Sequence, residues 1–324
     1  MRVTQSMLSS NMLRNLNNSY NKMSKYQDQL NSGKIINRPS DDPVVAVKGM
    51  SYRVDLDRNV QYQRNMGEAH TWLDSTDESL DQVGTSLIRV KELIVQAAND
   101  TNTKEERNKI SEEIKQIRAH IQDLGNTKIG ENYVFSGTKT GTPLFVNEPT
   151  LNVTVLNEVA LGTKTDSNAP GNKTVEIDVF DGIKMQVNTA GMELFGAVDD
   201  YLAEVEGLFS RHKDPTQTPA TGEEIGDLLG LSGTGATTTN PRLDKITEKV
   251  LEVRATVGAR QNRLELMTNR LEIQEVSVTK QMSLNEDTDY AKTITEMVTA
   301  ESIHQASLSV GAKIIQQTLV DFIR

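Results

Sequence analysis

AHTWLDSTDESLDQVGTSLIRVKELIVQA, residues 69–97, carries Ala69, Leu73, Thr76, Leu80, Val83, Leu87, Val90, Ile94 and Ala97 at spacings that alternate four and three without a break. A helix with that 3.5-residue period keeps one stripe against a partner along its whole length and winds round it left-handed. The stretch contains no proline, and most residues off the stripe are polar or charged. It predicts a long helix, from Ser40 to about 98, that needs other helices beside it.

The partners lie on both sides. After NDTNT (99–103), Ile110, Ile114, Ile117, Ile121 and Leu124 repeat the pattern, so a helical hairpin with a short polar loop is expected. Further on, Leu243, Ile246, Val250, Val253, Val257, Arg260, Leu264, Met267, Leu271, Gln274 and Val278 alternate three and four again. A helix over 242–284 would span roughly 65 Å. Arg260 and Gln274 interrupt its seam, as polar residues do where register matters more than stability. NEDTD (285–289) should end it.

The two ends of the chain are helical in pattern as well. Leu8, Met12, Leu16, Tyr20, Met23, Tyr26 and Leu30 form a stripe over about 4–31, and Gly33 is a suitable stop. Ile294, Met297, Ile303, Ala306, Val310, Ile314, Ile315, Leu319 and Phe322 mark a last amphipathic helix over about 290–322. Two prolines stand at 39 and 43, and the other six fall between Pro143 and Pro241. Turns and strands belong in that central block. LNVTVL (151–156) reads as a strand. Two alternating runs around Asp181-Gly182 read as a β-hairpin, and a short helix follows over about 191–212. Residues 213–241, rich in Thr, Gly and Pro, read as a linker.

The fold class expected is therefore mainly α. The N- and C-terminal segments pair in a long antiparallel helical bundle or coiled coil, with a small β-containing insert. Three parts are expected: terminal segments 1–36 with 287–324, a helical part 37–142 with 242–286, and an insert 143–241.

NRPSDDPVVAVKG (37–49) separates the first two helices and raises the question of a metal or catalytic carboxylate pair. End-of-helix electrostatics account for every residue instead. Pro39 forces Arg38 out of helix, Ser40 is placed to cap the next one, and Asp41 and Asp42 face the positive end of its dipole. Pro43 is tolerated in a first turn because its missing N–H has no intrahelical partner there.

Other chemistry is scarce. The 324 residues include no cysteine, which excludes disulfides and thiolate zinc sites. His70, His120, His212 and His304 are scattered singly, with no metal-ligand spacing. GTKTG (137–141) lacks the spacing of a phosphate loop, and no nucleophile elbow is present. Neither a catalytic residue, a cofactor nor a metal is expected, and the chain reads as a non-enzyme. A net charge of −10 argues against nucleic acid as a partner. No apolar run approaches membrane-spanning length. The first residues, MRVTQSMLSSNML, do not read as a cleaved signal peptide.

IINRPSDDPVVAVKGM (35–50), the opening MRVTQSML and the closing DTDYAKTITEMVTAESIHQASLSVGAKIIQQTLVDFIR together resemble the bacterial flagellin family. The likeness covers about 1–142 and 242–324 and leaves the insert uncovered. Two details point to the hook–filament junction branch of that family rather than to the filament subunit. Pro43-Val44-Val45 follows the aspartates where flagellins commonly have Ala-Ala-Gly. ENYVFSGTKTGTPLF (131–145) and the ending TLVDFIR resemble the junction proteins.

The resemblance implies a structural adaptor of the flagellum that assembles through its terminal helices. Those helices are thought to be largely disordered in the free subunit. The residues expected at the assembly seam are Leu8, Leu16, Met23 and Leu30 on one side and Ile294, Ile303, Ile314, Leu319 and Phe322 on the other. Arg38, Pro39, Ser40, Asp41, Asp42 and Pro43 form the family's helix-start motif. The partners implied are the first hook–filament junction protein, flagellin, further copies of the chain in a ring or helical layer, the flagellar export apparatus and an export chaperone. The protein would lie outside the cell on the flagellum, exported unfolded by the flagellar type III route. The alternatives are a minor flagellin, a non-exported signalling or cytoskeletal coiled coil, and an enzyme hidden in the insert.

Overall fold

The structure, a computed structural model, describes residues 5–99, 101–148, 153–164, 166, 168–211, 221–227 and 243–320, apart from the side chains of a few residues at element ends. In chain order the elements are α1 (Gln5–Ser32), α2 (Pro43–Ala97), α3 (Lys104–Gly125), β1 (Lys128–Ile129), β2 (Asn132–Tyr133), β3 (Phe145–Glu148), β4 (Val153–Leu156) and α4 (Glu158–Leu161). They continue with a 3₁₀ turn (Pro170–Asn172), β5 (Glu176–Phe180), β6 (Ile183–Gln186), α5 (Gly191–Ser210), α6 (Gly222–Asp227), α7 (Leu243–Glu286) and α8 (Tyr290–Val320). The strands form three antiparallel pairs, β1 with β2, β3 with β4 and β5 with β6. The fold is mainly α, with the N- and C-terminal helical regions expected of it.

The chain divides into two compact units, residues 1–60 with 272–324 and residues 61–271. These limits cut through α2 and α7 and do not fall at the helix breaks near 37 and 287. The larger unit is organised by the seam of α2. Ala69, Leu73, Thr76, Leu80, Val83, Leu87, Val90, Ile94 and Ala97 are all buried. Ile110, Ile114, Ile121 and Leu124 of α3 and Leu243, Ile246, Val250, Val257, Leu264 and Leu271 of α7 are buried as well. Both α3 and α7 run antiparallel to α2. Arg89 meets Glu113 at 2.7 Å, and Lys91 meets Asp244 at 2.7 Å. Arg254 bonds Asp77 at 2.9 Å and also Asp81, so these carboxylates help set the register of α7 on α2.

The α2–α3 loop ends in a capping box. Thr103 caps the Glu106 amide, and the Glu106 carboxylate accepts from the Thr103 backbone N–H at 2.8 Å.

Residues of the 143–241 block share the core of these helices. Leu144, Phe145, Leu161 and the inner face of α5, from Met192 to Phe209, belong to the same buried cluster as the α2 seam. Phe195 packs on Phe135 with ring centroids 4.7 Å apart, and Arg118 of α3 holds Asp199 and Glu206 of α5 at 2.8 and 2.9 Å. The insert thus completes the bundle's interior, because the α2 and α3 seams leave apolar area that α5 covers.

The β5–β6 hairpin, turning at Asp181-Gly182, packs on the other half of this unit. Phe180 stacks on Tyr62 and lies under the Arg270 guanidinium, 4.3 Å from its ring centre. Arg260 donates to the Asn188 carbonyl at 3.1 Å and to Gln186 at 3.0 Å. The polar interruption in the α7 seam therefore fixes where the hairpin sits, and burial holds its pKa below the usual arginine value. The linker block contains the short helix α6, whose Ile225 is buried in the main cluster. Residues 212–220 and 228–242, with His212 among them, lie outside the described residues.

Leu80 is fully buried at the centre of the α2 seam. Leu80→Ala is expected to cost about 2–5 kcal/mol of unfolding free energy. Val44→Ala, at an exposed site, is expected to stay within about 0.5 kcal/mol. Equilibrium urea denaturation of the two variants checks the contrast.

Candidate assembly site

The smaller unit brings the first and last helices together, and the helix-start motif lies just beyond the joint between them. The helix begins at Pro43, and its cap is Asp42, not Ser40. The Asp42 carboxylate accepts from the Val44 and Val45 amides at 3.0 and 3.2 Å. Asp41 lies outside the helix and closes the preceding turn, accepting from the Asn37 and Arg38 amides at 3.3 and 3.0 Å. A carboxylate satisfies two free amides at once, which a serine hydroxyl does less strongly. With Asp42 as the cap, Pro43 takes the first helical position, where its fixed φ fits. The aspartates are punctuation, with separate tasks.

The chain turn after α1 is set by Gly33, whose φ of +69° is open to glycine and strained for other residues. It delivers the backbone to the end of α7. The Ile35 amide donates to the Glu286 carbonyl at 2.6 Å, and the Thr288 amide donates to the Gly33 carbonyl at 2.9 Å. Gln29 Nε2 adds a bond to the Ile35 carbonyl at 2.6 Å, and Asn285 Nδ2 one to the Val45 carbonyl at 3.0 Å.

A buried carboxylate lies at the centre of this joint. Glu286 is bound by Arg53 at 2.6 Å and approached by Lys34 at 3.6 Å. Gly49 makes room for it, since a Cβ there would lie 2.0 Å from Glu286 Oε1. Lys34 also bonds Asp287 at 2.7 Å. That bond raises the Lys34 pKa, and it is the main reason the Asp287 pKa is lowered, with Ser283 assisting.

From this root α1 and α8 run antiparallel. Tyr20 lies beside His304, with ring centres 6.3 Å apart, and a Cβ on Gly311 would collide with the Met12 methyl at 1.5 Å. Near the joint Tyr26 is bonded to Glu296; burial, chiefly, and that carboxylate raise its pKa. Of the half-buried or buried residues, Met12, Leu16, Ser19, Met23, Tyr26 and Leu30 on α1 and Thr293, Met297, Ala300, His304, Ser307 and Gly311 on α8 form the seam, with Ser9, Gln29 and Glu296 also shielded beside it. Both sets alternate four and three. Among the expected seam residues, Leu16, Met23 and Leu30 face α8. Ile294 and Ile303 do not face α1; they are 48% and 55% exposed, one position off the seam. Tyr20 is likewise exposed, and Ser19 takes the seam. The reason is close approach, since small residues on α8 let the two backbones near one another while its larger apolar residues stay outside. Leu8 is in α1, and Ile314 and Leu319 are in α8, but their side chains lie outside the described residues; Phe322 lies outside them entirely.

Among the described residues no group of His, Asp and Glu is placed to hold a metal ion, and no helix is long and apolar enough to cross a membrane.

Comparison with known proteins matches this geometry to a class. Residues 3–140 fit the bacterial flagellin N-terminal helical region, and residues 242–323 fit the bacterial flagellin C-terminal helical region. The chain belongs to the bacterial flagellin family. Among its relatives is flagellar hook-associated protein 3 of Escherichia coli, 27% identical, with 94% of this chain and 93% of the relative covered. A flagellin of Clostridium tyrobutyricum is 23% identical, with 98% and 99% covered. In fold, the chain is similar to a Vibrio parahaemolyticus protein described as flagellar hook-associated, with a TM-score of 0.61, 23% identity and coverage of 76% and 99%. It is also similar to hook-associated protein-3 of Legionella pneumophila, with a TM-score of 0.55, 14% identity and coverage of 72% and 98%.

Two outcomes follow from the joint. Gly49→Ala should displace Glu286 and lower amide-exchange protection at Ile35 and Thr288 by about tenfold or more. In a Glu286→Ala background the same substitution should have almost no effect, a coupling that a double-mutant cycle reads directly. The pH dependence has a definite sign. The lowered Asp287 pKa contributes stability that is present above the usual carboxylate range and lost as pH falls through it, below about 4. The raised Lys34 pKa contributes stability present below the usual lysine range and lost as pH rises through it. Asp287→Asn should flatten the acid limb of protection at Thr288.

Proposed function

We propose that this chain is a structural adaptor of the bacterial flagellum that joins the hook-side junction protein to the flagellin filament. The observation that carries the reading is the α1/α8 pair rooted on the joint, in a chain similar over nearly its whole length to flagellar hook-associated protein 3. The function is mechanical, with no catalytic step. The α1/α8 seam is built largely from Ser, Thr, Ala and Gly on the α8 side, so pairing within one chain buries little apolar area. Amphipathic helices of this kind gain their stability from packing on neighbours.

The flanks of the pair supply that packing. Leu13 and Tyr20 on α1, and Ile294, Ile303, Leu308 and Val310 on α8, are exposed beside the seam. A two-helix coil normally carries charge at such positions; apolar residues there favour larger bundles. Ile294 and Ile303 thus serve contacts between copies, and Leu8, Ile314, Leu319 and Phe322 stay among the assembly residues of this reading. The three-part division into terminal segments, helical part and insert describes tasks in assembly. The chain leaves the cell unfolded through the flagellar export apparatus, accompanied by an export chaperone. A chain without cysteine suits that path, since no disulfide has to be opened or made.

Deleting 1–30 or 290–324 is expected to leave a soluble, folded protein and to abolish hook–filament junctions, counted by electron microscopy of cells whose only copy is the truncated one. Junctions at wild-type number would refute the reading. Growth of long filaments from the pure full-length chain on flagellar seeds would favour a minor flagellin instead.

A further inference from the structure

An open cleft of about 610 Å³ lies between the last turns of α1, the end of α7 and the first turn of α8. Its carboxylates are all engaged. Asp287 is bound by Lys34 and Ser283, Asp289 caps α8 by accepting from the Ala291 and Lys292 amides, and Glu296 is bonded to Tyr26. The lysines that line it are not so engaged. Lys22, Lys25 and Lys292 line the cleft, and none has a carboxylate partner among the described residues. Ile35 and Leu284, 38% and 76% exposed, form an apolar edge beside them. Three unpaired ammonium groups next to exposed aliphatic side chains fit a surface that carries a carboxylate beside apolar residues.

The same unit displays such a surface elsewhere. On the first turns of α2, Val47, Met50 and Val54 are exposed. Their spacings of three and four place them on one stripe, and Asp57 extends it by another turn. Asp57 is exposed and has no partner among the described residues. We propose that the cleft receives this stripe from a second copy of the chain, with the Asp57 carboxylate among Lys22, Lys25 and Lys292 and the Val54 end against Ile35 and Leu284. The inference rests on the reading of the chain as an assembling subunit and names one contact that assembly uses. The cleft and the stripe are different surfaces, so the contact is heterologous. Each copy offers one of each, and successive copies add in the same sense, to a closed ring or a helical layer.

The test is charge reversal in the full-length chain, as the only copy in the cell. Lys22→Glu combined with Lys25→Glu is expected to reduce junctions per cell by about tenfold or more, and Asp57→Lys to do the same. Combining all three should restore the count to within about threefold of wild type. All three sites are exposed, so the purified variants should melt as the wild type does. If any does not, Lys25→Gln and Asp57→Asn replace the reversals and should show smaller losses of the same direction. Reversals that leave the count unchanged, or a triple variant no better than its parents, overturn the contact. Loss on lysine reversal with none on Asp57→Lys also overturns it and indicates a different acidic occupant. The terminal deletions serve as the control. If junctions survive those, the assembly reading itself fails; if they vanish while the reversals do nothing, only this contact does.

Discussion

A stripe that repeats every 3.5 residues has to be kept from water along its whole length, and both units are arranged to meet that demand. In the larger unit, α2 cannot meet it with one partner. The buried positions from Leu73 to Ala97 share one core with α3 on one side and α7 on the other. What remains open is closed by α5 and by side chains around Phe135 and Phe145. Registry along the helices is then fixed by ion pairs such as Arg254 with Asp77, which contribute little to stability at a surface but penalise a slipped alignment.

The smaller unit meets the same demand with different material. Its seam has the period of a coiled coil, but α8 lines it with Thr293, Ala300, Ser307 and Gly311. Fewer methylene groups are removed from water per turn than in the α2 seam. Close approach compensates in part, as where the Met12 methyl covers Gly311. The root of the terminal pair is held by a buried carboxylate, Glu286, which a missing Cβ admits and two cations neutralise. Removing one partner of such a group costs more than the intact arrangement contributes, because an unpaired charge is then left in a dry place.

Local and long-range determinants separate clearly in this chain. The seams of α2, α3 and α7 are legible because a heptad sustained over many turns arises only where one helix face is covered. The β5–β6 hairpin is legible because Asp-Gly between alternating runs is a local instruction. At α8, pattern and packing part for a physical reason. Pattern assigns apolar residues to the nearest partner, whereas this helix turns Ile294 and Ile303 outward and packs its small residues inward. Propensity alone favours Ser40 as the cap of α2. The choice of Asp42 depends on Pro43 taking the first helical position, and Asp41 is drawn into a turn of its own. The Glu286 site gives no signal in the sequence, since Gly49 and Glu286 lie far apart in the chain and each has an ordinary role in a helix.

The sequence by itself determined that the long segments are helical, within a few residues where they break, and that their stripes must find partners, because these follow from spacing along one chain. It also carried the family, through motifs that sit at helix ends. Only the tertiary structure decided which stripe meets which, that the central block shares the bundle's core, and that Glu286, Arg53, Lys34 and Gly49 come together. It also decided which lysines of the cleft remain unpaired. Those outcomes depend on distances between residues remote in sequence, and a charge shows whether it is engaged only when its neighbours in space are known.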